Sequence, residues 1–291
     1  MARSVRVKSF ELVAQDIADV DVNLLHALSI GVGWPHRPAD WEILRRVGKG
    51  IVAVDGIGRV FGSAMWYPYG PDFAVIGLVI TTPRAQAQGT GRWLMEQVLA
   101  NCKGRDLSLN ATKAAFPLYV SLGFKREATV NLLQGRIADF PETAAPEGTI
   151  GTLSVEKAAE ILPLDFQAFG ADRGKMLTVL SEQASLCAMW RDGEMVGYAM
   201  CREFGRGRVI GPIVARNDTD AIALTSWHLR KLRGQFVRID TREDDGPFAK
   251  FLDQFSLTQG EAVSTMSKGR KFLNRRESAP WIYGLAGHAL G

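Results

Sequence analysis

Two stretches of this chain carry the same features in the same order, and a duplicated pattern restricts the fold more than composition does. Ile76-Gly77 recurs as Ile210-Gly211, 134 residues on. Leu107 recurs as Val237 after 130 residues, and Gln134-Gly135-Arg136 as Lys268-Gly269-Arg270 after 134. A chain of 291 residues, at roughly 100–200 per domain, has room for two domains of one kind. Between the copies, residues 140–148 hold two prolines and no hydrophobic period, which marks a linker. The expected organisation is a first domain over 1–139, a linker over 140–148 and a second domain over 149–291.

Within each copy, strand and helix periods alternate. Strands over 51–54 and 60–67 flank Asp55-Gly56 as a hairpin. The run 73–81 is apolar on both faces and therefore central in its sheet. A helix over 90–102, a short strand over 107–109, a helix over 114–122 closed by Gly123 and a strand over 124–133 follow. The second copy repeats this as a hairpin about Asp192-Gly193, a strand over 209–215, a helix over 219–232, a strand over 237–239, a helix over 247–255 and a closing strand over 262–266. The class is α/β, with each domain a mixed twisted sheet flanked by helices.

Composition removes several function classes. At 46% hydrophobic residues the chain buries a core, and a net charge of +4 is too small to mark a nucleic-acid binder. No apolar run approaches the ~20 residues of a membrane helix. The first twelve residues alternate polar and apolar as a strand does, unlike a secretory leader, so a cytoplasmic protein is expected. Cys102, Cys187 and Cys201 make no Cys-x-x-Cys pair, and the four histidines are scattered, so neither a disulfide framework nor a metal is expected. The basic cluster Lys268, Arg270, Lys271, Arg275 and Arg276 reads as a solvated loop.

The chemistry-bearing stretch starts where the central strand ends. Gln86-Ala-Gln-Gly89-Thr-Gly91 joins that strand to a helix. Its glycines let the backbone approach a bulky anion, and the helix start supplies amides and a favourable dipole. Arg84 and Arg92 flank the loop. Further on stands Leu118-Tyr119-Val-Ser-Leu122-Gly123-Phe124. These two motifs, in this order and on these elements, resemble the GNAT superfamily of N-acetyltransferases, over about residues 3–136. The whole chain resembles the two-domain bacterial members, whose second GNAT-like domain is degenerate.

The resemblance implies that the first domain is catalytic and uses acetyl-CoA as cosubstrate. Val79, Ile80 and Thr81 would pair their backbone with the pantetheine arm. Ala87, Gln88, Gly89, Thr90, Gly91 and Arg92 would cradle the pyrophosphate. Thr112 stands where many relatives place a cofactor-contacting Asn. Tyr119 would protonate the departing thiolate, which suits a phenol of pKa about 10. Direct attack by an amine needs no nucleophilic Ser or Cys, and no Gly-x-Ser-x-Gly is present. Asp72, His36, Asp40 and relayed water all stand as candidates for the base.

In the second copy, residues 211–220 replace the loop without a second glycine, and Leu252 replaces Tyr119. One cofactor per chain is expected. The acceptor is read as a small-molecule primary amine, with a polyamine, an amino acid and an aminosugar antibiotic as examples. Trp34, His36, Asp40 and Glu243 are its candidate contacts, and the aromatic tail over 281–283 is a candidate cover. The oligomeric state is left open. A non-catalytic acyl-CoA-binding regulator and a protein-modifying acetyltransferase are the alternatives.

Overall fold

The structure, a computed structural model, describes all residues except 1–3, 8–9, 139, 142–144 and 277–278. Parts of the expected first strand and of the expected linker therefore lie outside the described residues. Two compact units emerge, Met1–Leu109 and Asn110–Gly291.

The first unit builds its sheet in chain order. β1 (Ser4–Val7), β2 (Phe10–Asp16), β3 (Lys49–Asp55), β4 (Val60–Pro68) and β5 (Phe73–Thr81) pair antiparallel one after the next. α1 (Val22–Ile30) and α2 (Pro38–Val47) fall between β2 and β3. α3 (Thr90–Asn101) packs on β3, β4 and β5, and β6 (Asp106–Ala111) returns parallel to β5. The expected β3–β4 hairpin forms. Its turn is fixed by Asp55, whose carboxylate accepts from the Ile57 and Arg59 amides and pairs with the Arg59 guanidinium at 2.7 Å.

The second unit contains α4 (Phe116–Ser121), β7 (Lys125–Arg136), β8 (Thr149–Thr152), α5 (Leu162–Phe169), α6 (Gly174–Ser181), β9 (Ala184–Arg191), β10 (Glu194–Phe204) and β11 (Gly207–Ala215). α7 (Asp218–Leu229), β12 (Phe236–Thr241), α8 (Gly246–Asp253), β13 (Thr258–Gln259), β14 (Val263–Lys268) and β15 (Trp281–Gly284) complete it. The duplication is visible element by element. β5 and β11 have nine residues each, α3 and α7 twelve, β6 and β12 six.

The closing strands are exchanged. β7 belongs by sequence to the first copy, yet its later half, Asn131 to Arg136, pairs antiparallel with β12 of the second copy. Its earlier half, Lys125 to Val130, pairs with β14, the last strand of the second copy. Compactness therefore divides the chain at Leu109, well before residues 140–148, because β7 counts with its strand partners. Asn110 is held there too: its amide donates to the His288 carbonyl and accepts from the Thr265 hydroxyl, each at 2.8 Å.

Two polar groups lie deep in the second unit. Arg173 pairs with Asp165 at 2.6 Å, both about 1% exposed, and stacks over the Phe169 ring at 4.2 Å. It also donates to the Gly291 carbonyl at 3.0 Å, while the Tyr198 hydroxyl donates to Asp165. Elsewhere His228 Nε2 lies 3.1 Å from the Ala199 carbonyl and 3.4 Å from Cys187 Sγ. A carbonyl only accepts, so Nε2 carries the proton. Burial pushes His228 down to about 4 and the Cys187 thiol up to about 12, so this pair stays neutral and does not form a reactive thiolate.

His228 gives a testable acid dependence. An unfolded histidine titrates near ~6.5, above the folded value, so the unfolded chain takes the proton first. Stability is full above pH ~6.5 and falls as pH drops toward the folded value, by about 2–4 kcal/mol in all. Denaturant midpoints between pH 6.5 and 5 should fall for the wild type and fall less for His228→Gln. A wild-type midpoint that is flat over that window contradicts this assignment.

Candidate active site

The strand end that the sequence singles out is shaped by a bulge. Gly62 faces Thr81 and Ser63 faces Ile80, but the next pair is Met65 with Gly77. Ala64 alone therefore opposes Leu78 and Val79, the arrangement that bends a strand and frees backbone groups. Leu78 adopts φ +50°, a region costly for a branched side chain, and its carbonyl accepts from the buried Ser63 hydroxyl at 2.8 Å. A Cβ on Gly62 would lie 2.5 Å from the Ile80 carbonyl, so only glycine fits opposite this stretch. On its other edge β5 pairs with β6 from Phe73 to Ile76. Among the described residues no strand pairs with that edge from Gly77 to Thr81. Val79, Ile80 and Thr81 thus sit on a bulged segment with one open edge.

The loop that follows leads straight into α3. Gln86 Nε2 donates to the Thr81 carbonyl at 3.1 Å and Gln88 Nε2 to the Arg84 carbonyl at 2.8 Å. Ala87 takes φ +58° and Gly89 φ +85°, which turns the chain. Gly89 is the N-cap of α3 and supplies no side-chain cap, and the space beside it is open. The first bond of the helix runs from the Trp93 amide to the Gly89 carbonyl, at 2.9 Å. The amides of Thr90, Gly91 and Arg92 precede it and belong to the orphan donors of a helix start. Thr82 Oγ1, Gln88 Oε1 and Thr90 Oγ1 are buried with no hydrogen-bond partner among the described residues. Uncapped amides opening onto free space at Gly89 fit a pyrophosphate. Arg84 and Arg92 are exposed on either side.

Tyr119 and Thr112 belong to the second unit. The Thr112 carbonyl and hydroxyl both accept from the Ala115 amide, which starts the turn into α4. Tyr119 is 5% exposed, with its ring edge-on to Phe124 at 6.0 Å. Burial raises its phenol well above the ordinary value, so it remains a neutral proton donor through the physiological range. Gly123 ends α4 at φ +87°, as expected, and Lys268 Nζ caps the Leu122 carbonyl at 2.7 Å.

The acceptor candidates are distributed differently. The Trp34 and His36 rings meet tilted at 6.0 Å, and His36 lies as far from Trp41. Asp40 is 1% exposed and already spent: it accepts from the Arg37 amide at 2.8 Å and pairs with the Arg37 guanidinium at 3.0 Å, capping α2. Glu243, in the second unit, accepts from Trp281 Nε1 at 2.7 Å and from Arg275 at 3.1 Å. Both carboxylates hold structure together, a commitment the sequence does not show. Ser63 and the Leu78 bulge were missed by sequence reasoning, and the Gly62-Ser63 pair inside an apolar strand was the available signal.

In the second copy the equivalent strand end is filled. At the 134-residue offset Val79, Ile80 and Thr81 correspond to Ile213, Val214 and Ala215. β15 pairs antiparallel with those three residues. The tail is therefore a sheet strand with Tyr283 fully buried, and not the cover proposed from its aromatic residues. Only Arg216 and Asn217 separate β11 from α7, so no glycine loop exists there. Leu252 lies buried in α8 where the first copy has Tyr119. The basic cluster is also more structural than a solvated loop, since Lys268, Arg270 and Arg275 each donate to fixed partners.

Comparison with known proteins agrees with this geometry. A family model described as an acetyltransferase (GNAT) domain matches residues 47–126, and another of the same description matches 161–284. The chain belongs to the GNAT superfamily and carries two such domains in tandem. A Pyrococcus horikoshii structure assigned as an acetyltransferase superposes with a TM-score of 0.80 at 18% identity, over 100% of this chain and 99% of that one. A GCN5-related N-acetyltransferase from Sphaerobacter thermophilus gives 0.59 at 16%, over 88% and 95% of the two chains. A tandem GNAT protein from the clavulanic acid biosynthesis pathway gives 0.59 at 15%, over 89% and 99%. At such identities the likeness is one of fold. No curated protein matches the sequence. Among the described residues no helix is long and apolar enough to cross a membrane, and no group of ligands could hold a metal ion.

Proposed function

We propose that the chain is an acetyl-CoA-dependent N-acetyltransferase that acts on a primary amine of a small molecule, with residues 1–139 as its catalytic domain and 149–291 as a degenerate partner. The observation that carries this reading is the continuous run from a bulged, open-edged strand into an uncapped helix start. The thioester supplies an activated acyl group. Backbone groups of Val79, Ile80 and Thr81 would hold its pantetheine arm, and amides from Ala87 to Arg92 its pyrophosphate. As the amine nitrogen bonds to the acyl carbon, the C–S bond breaks, the thiolate takes the Tyr119 proton, and the proton that the nitrogen sheds, relayed through water, restores the phenol. Backbone donors at the bulge favour charge that develops on the acyl oxygen.

Gly89→Asp tests the cofactor half of this reading. It places a carboxylate and a strained φ where the pyrophosphate would lie. Calorimetry should show one acetyl-CoA site per wild-type chain and, in the variant, affinity weakened by about 100-fold or more. Two equivalent sites, or unchanged affinity in the variant, would overturn it. Release of free thiol across a panel of polyamines, amino acids and aminosugars then identifies the acceptor. Thiol release with none of them, in a chain that binds acetyl-CoA, would favour a regulator.

A further inference from the structure

One guanidinium of the second unit is buried with its outer edge empty. Arg242 directly follows β12 and is 9% exposed. Its Nε donates to the Thr265 hydroxyl at 3.0 Å, and its planar group lies over the Phe272 ring at 5.7 Å. Nη2 is closed off from water without a hydrogen bond, whereas Nη1, equally unbonded, is not closed off. Among the described residues no carboxylate forms an ion pair with it. A buried charge without a partner is unfavourable until something arrives to match it. We propose that this fork receives the carboxylate of the acceptor, so that the amine to be acetylated is that of an amino acid. The inference rests on the N-acetyltransferase reading above and narrows its substrate.

The guanidinium is aimed before any ligand arrives. Thr265 accepts from Arg242, and its own hydroxyl donates to Asn110 Oδ1 at 2.8 Å. Asn110 comes one residue after Leu109, where the pairing of β6 with β5 ends, and its segment runs on through Thr112 to Tyr119. β14 supplies a second tie to that segment. Thr265 lies on it beside Arg242, and Lys268, on the same strand, caps the Leu122 carbonyl behind Tyr119. The step between those two residues rises about 10 Å. Arg242 and the helix of the proposed proton donor are therefore anchored on one strand at the spacing of a small molecule.

The surrounding charges select a single negative charge. Arg173, Glu127 and Glu243 are the ionised groups that act on Arg242. Arg173 is matched by Asp165, and Glu243 by Arg275. Glu127 is held by the Ser267 hydroxyl and by the Phe272 and Leu273 amides at 3.1 and 2.9 Å, and it leaves the fork empty. Burial lowers His288, which also feels the Arg242 charge, to about 4, so that ring is neutral. Burial draws the guanidinium down only to about 10, so it stays charged at neutral pH. A carboxylate brings one charge and two oxygens that match the fork. A phosphate brings a second charge, which meets Glu127 and no second open cation, and a polyamine brings only repulsion.

Calorimetry and thiol release on the full chain test the proposal together. Each standard amino acid, its α-amide and the matching decarboxylated amine would be titrated into chain saturated with coenzyme A, which cannot react. At least one amino acid should bind saturably, with its amide and its decarboxylated amine weaker by about 100-fold or more. Arg242→Lys keeps the charge but loses the fork, and should weaken that amino acid about tenfold or more at unchanged coenzyme A affinity. Arg242→Met removes a buried unpaired charge at similar volume, so its denaturant midpoint without ligand should equal or exceed that of the wild type. With acetyl-CoA in place the same amino acid should release thiol, and Arg242→Lys should raise its KM. Binding that depends on Arg242 but yields no thiol would overturn the acetyltransferase reading and leave the carboxylate site standing. Thiol release by polyamines or aminosugars, with none by amino acids, would keep that reading and overturn the present proposal. Equal affinity for an amino acid and its amide would overturn it as well.

Discussion

Tyr119→Phe should lower kcat by about 10²–10⁴-fold, the range for loss of a positioned general acid, while acetyl-CoA affinity stays unchanged. Only a hydroxyl is removed, and the ring keeps its edge-on packing against Phe124, so the fold should persist. The phenol is buried and held neutral, which disfavours a role as base and suits it to give a proton to a leaving thiolate. Loss of a group that acts only as the C–S bond breaks should lower kcat and kcat/KM together. Thiol release in stopped-flow, with chemistry shown to limit turnover, is the measurement. A variant with wild-type kcat would mean that water or another group protonates the thiolate.

Arg173→Ala should remove about 3–5 kcal/mol of stability, the cost of leaving one charge of a buried pair unmatched. Asp165 would keep only the Tyr198 hydroxyl, in surroundings that admit almost no water. The planar stack on Phe169 and the bond to the Gly291 carbonyl would also go. Replacing both partners, Asp165→Leu with Arg173→Met, should recover much of the loss, because no charge then remains to be solvated. Denaturant unfolding of the three variants decides this. A loss below 1 kcal/mol in Arg173→Ala would show that water reaches Asp165 after all.

The sequence is most legible where chemistry and local geometry coincide. The hairpins at Asp55 and Asp192, the apolar central strands and the loop before α3 follow from period, turn residues and glycine placement, and the duplication follows from spacing. The strand exchange was not legible, because β7 shows the same apolar alternation whether its neighbour is β12 or a strand of its own copy. Tail residues 281–284 posed the same problem: a few apolar residues read equally as cover or as strand until β11 supplies the partner. Asp40 and Glu243 read as acceptor contacts because carboxylates beside the expected cleft suit a cation; Arg37 caps Asp40 locally from three residues away, whereas only the tertiary fold brings Arg275 and Trp281 to Glu243. The Leu78 bulge escaped because branched residues rarely occupy that φ, so no residue-type signal announces it.

The exchanged strands set an order on the ribosome. Val130 of β7 finds its partner in Val263, which leaves the ribosome long after it. Until Phe236–Thr241 has been made, the first copy is synthesised in full, yet its last strand has neither β12 nor β14 beside it. For that interval β7 presents two bare edges to every other nascent chain in the cell, and such edges nucleate misassembly. Translation speed through the second copy thus becomes a determinant of yield. A gene fragment ending at the linker should give insoluble protein even though it encodes every cofactor-binding residue proposed for the site.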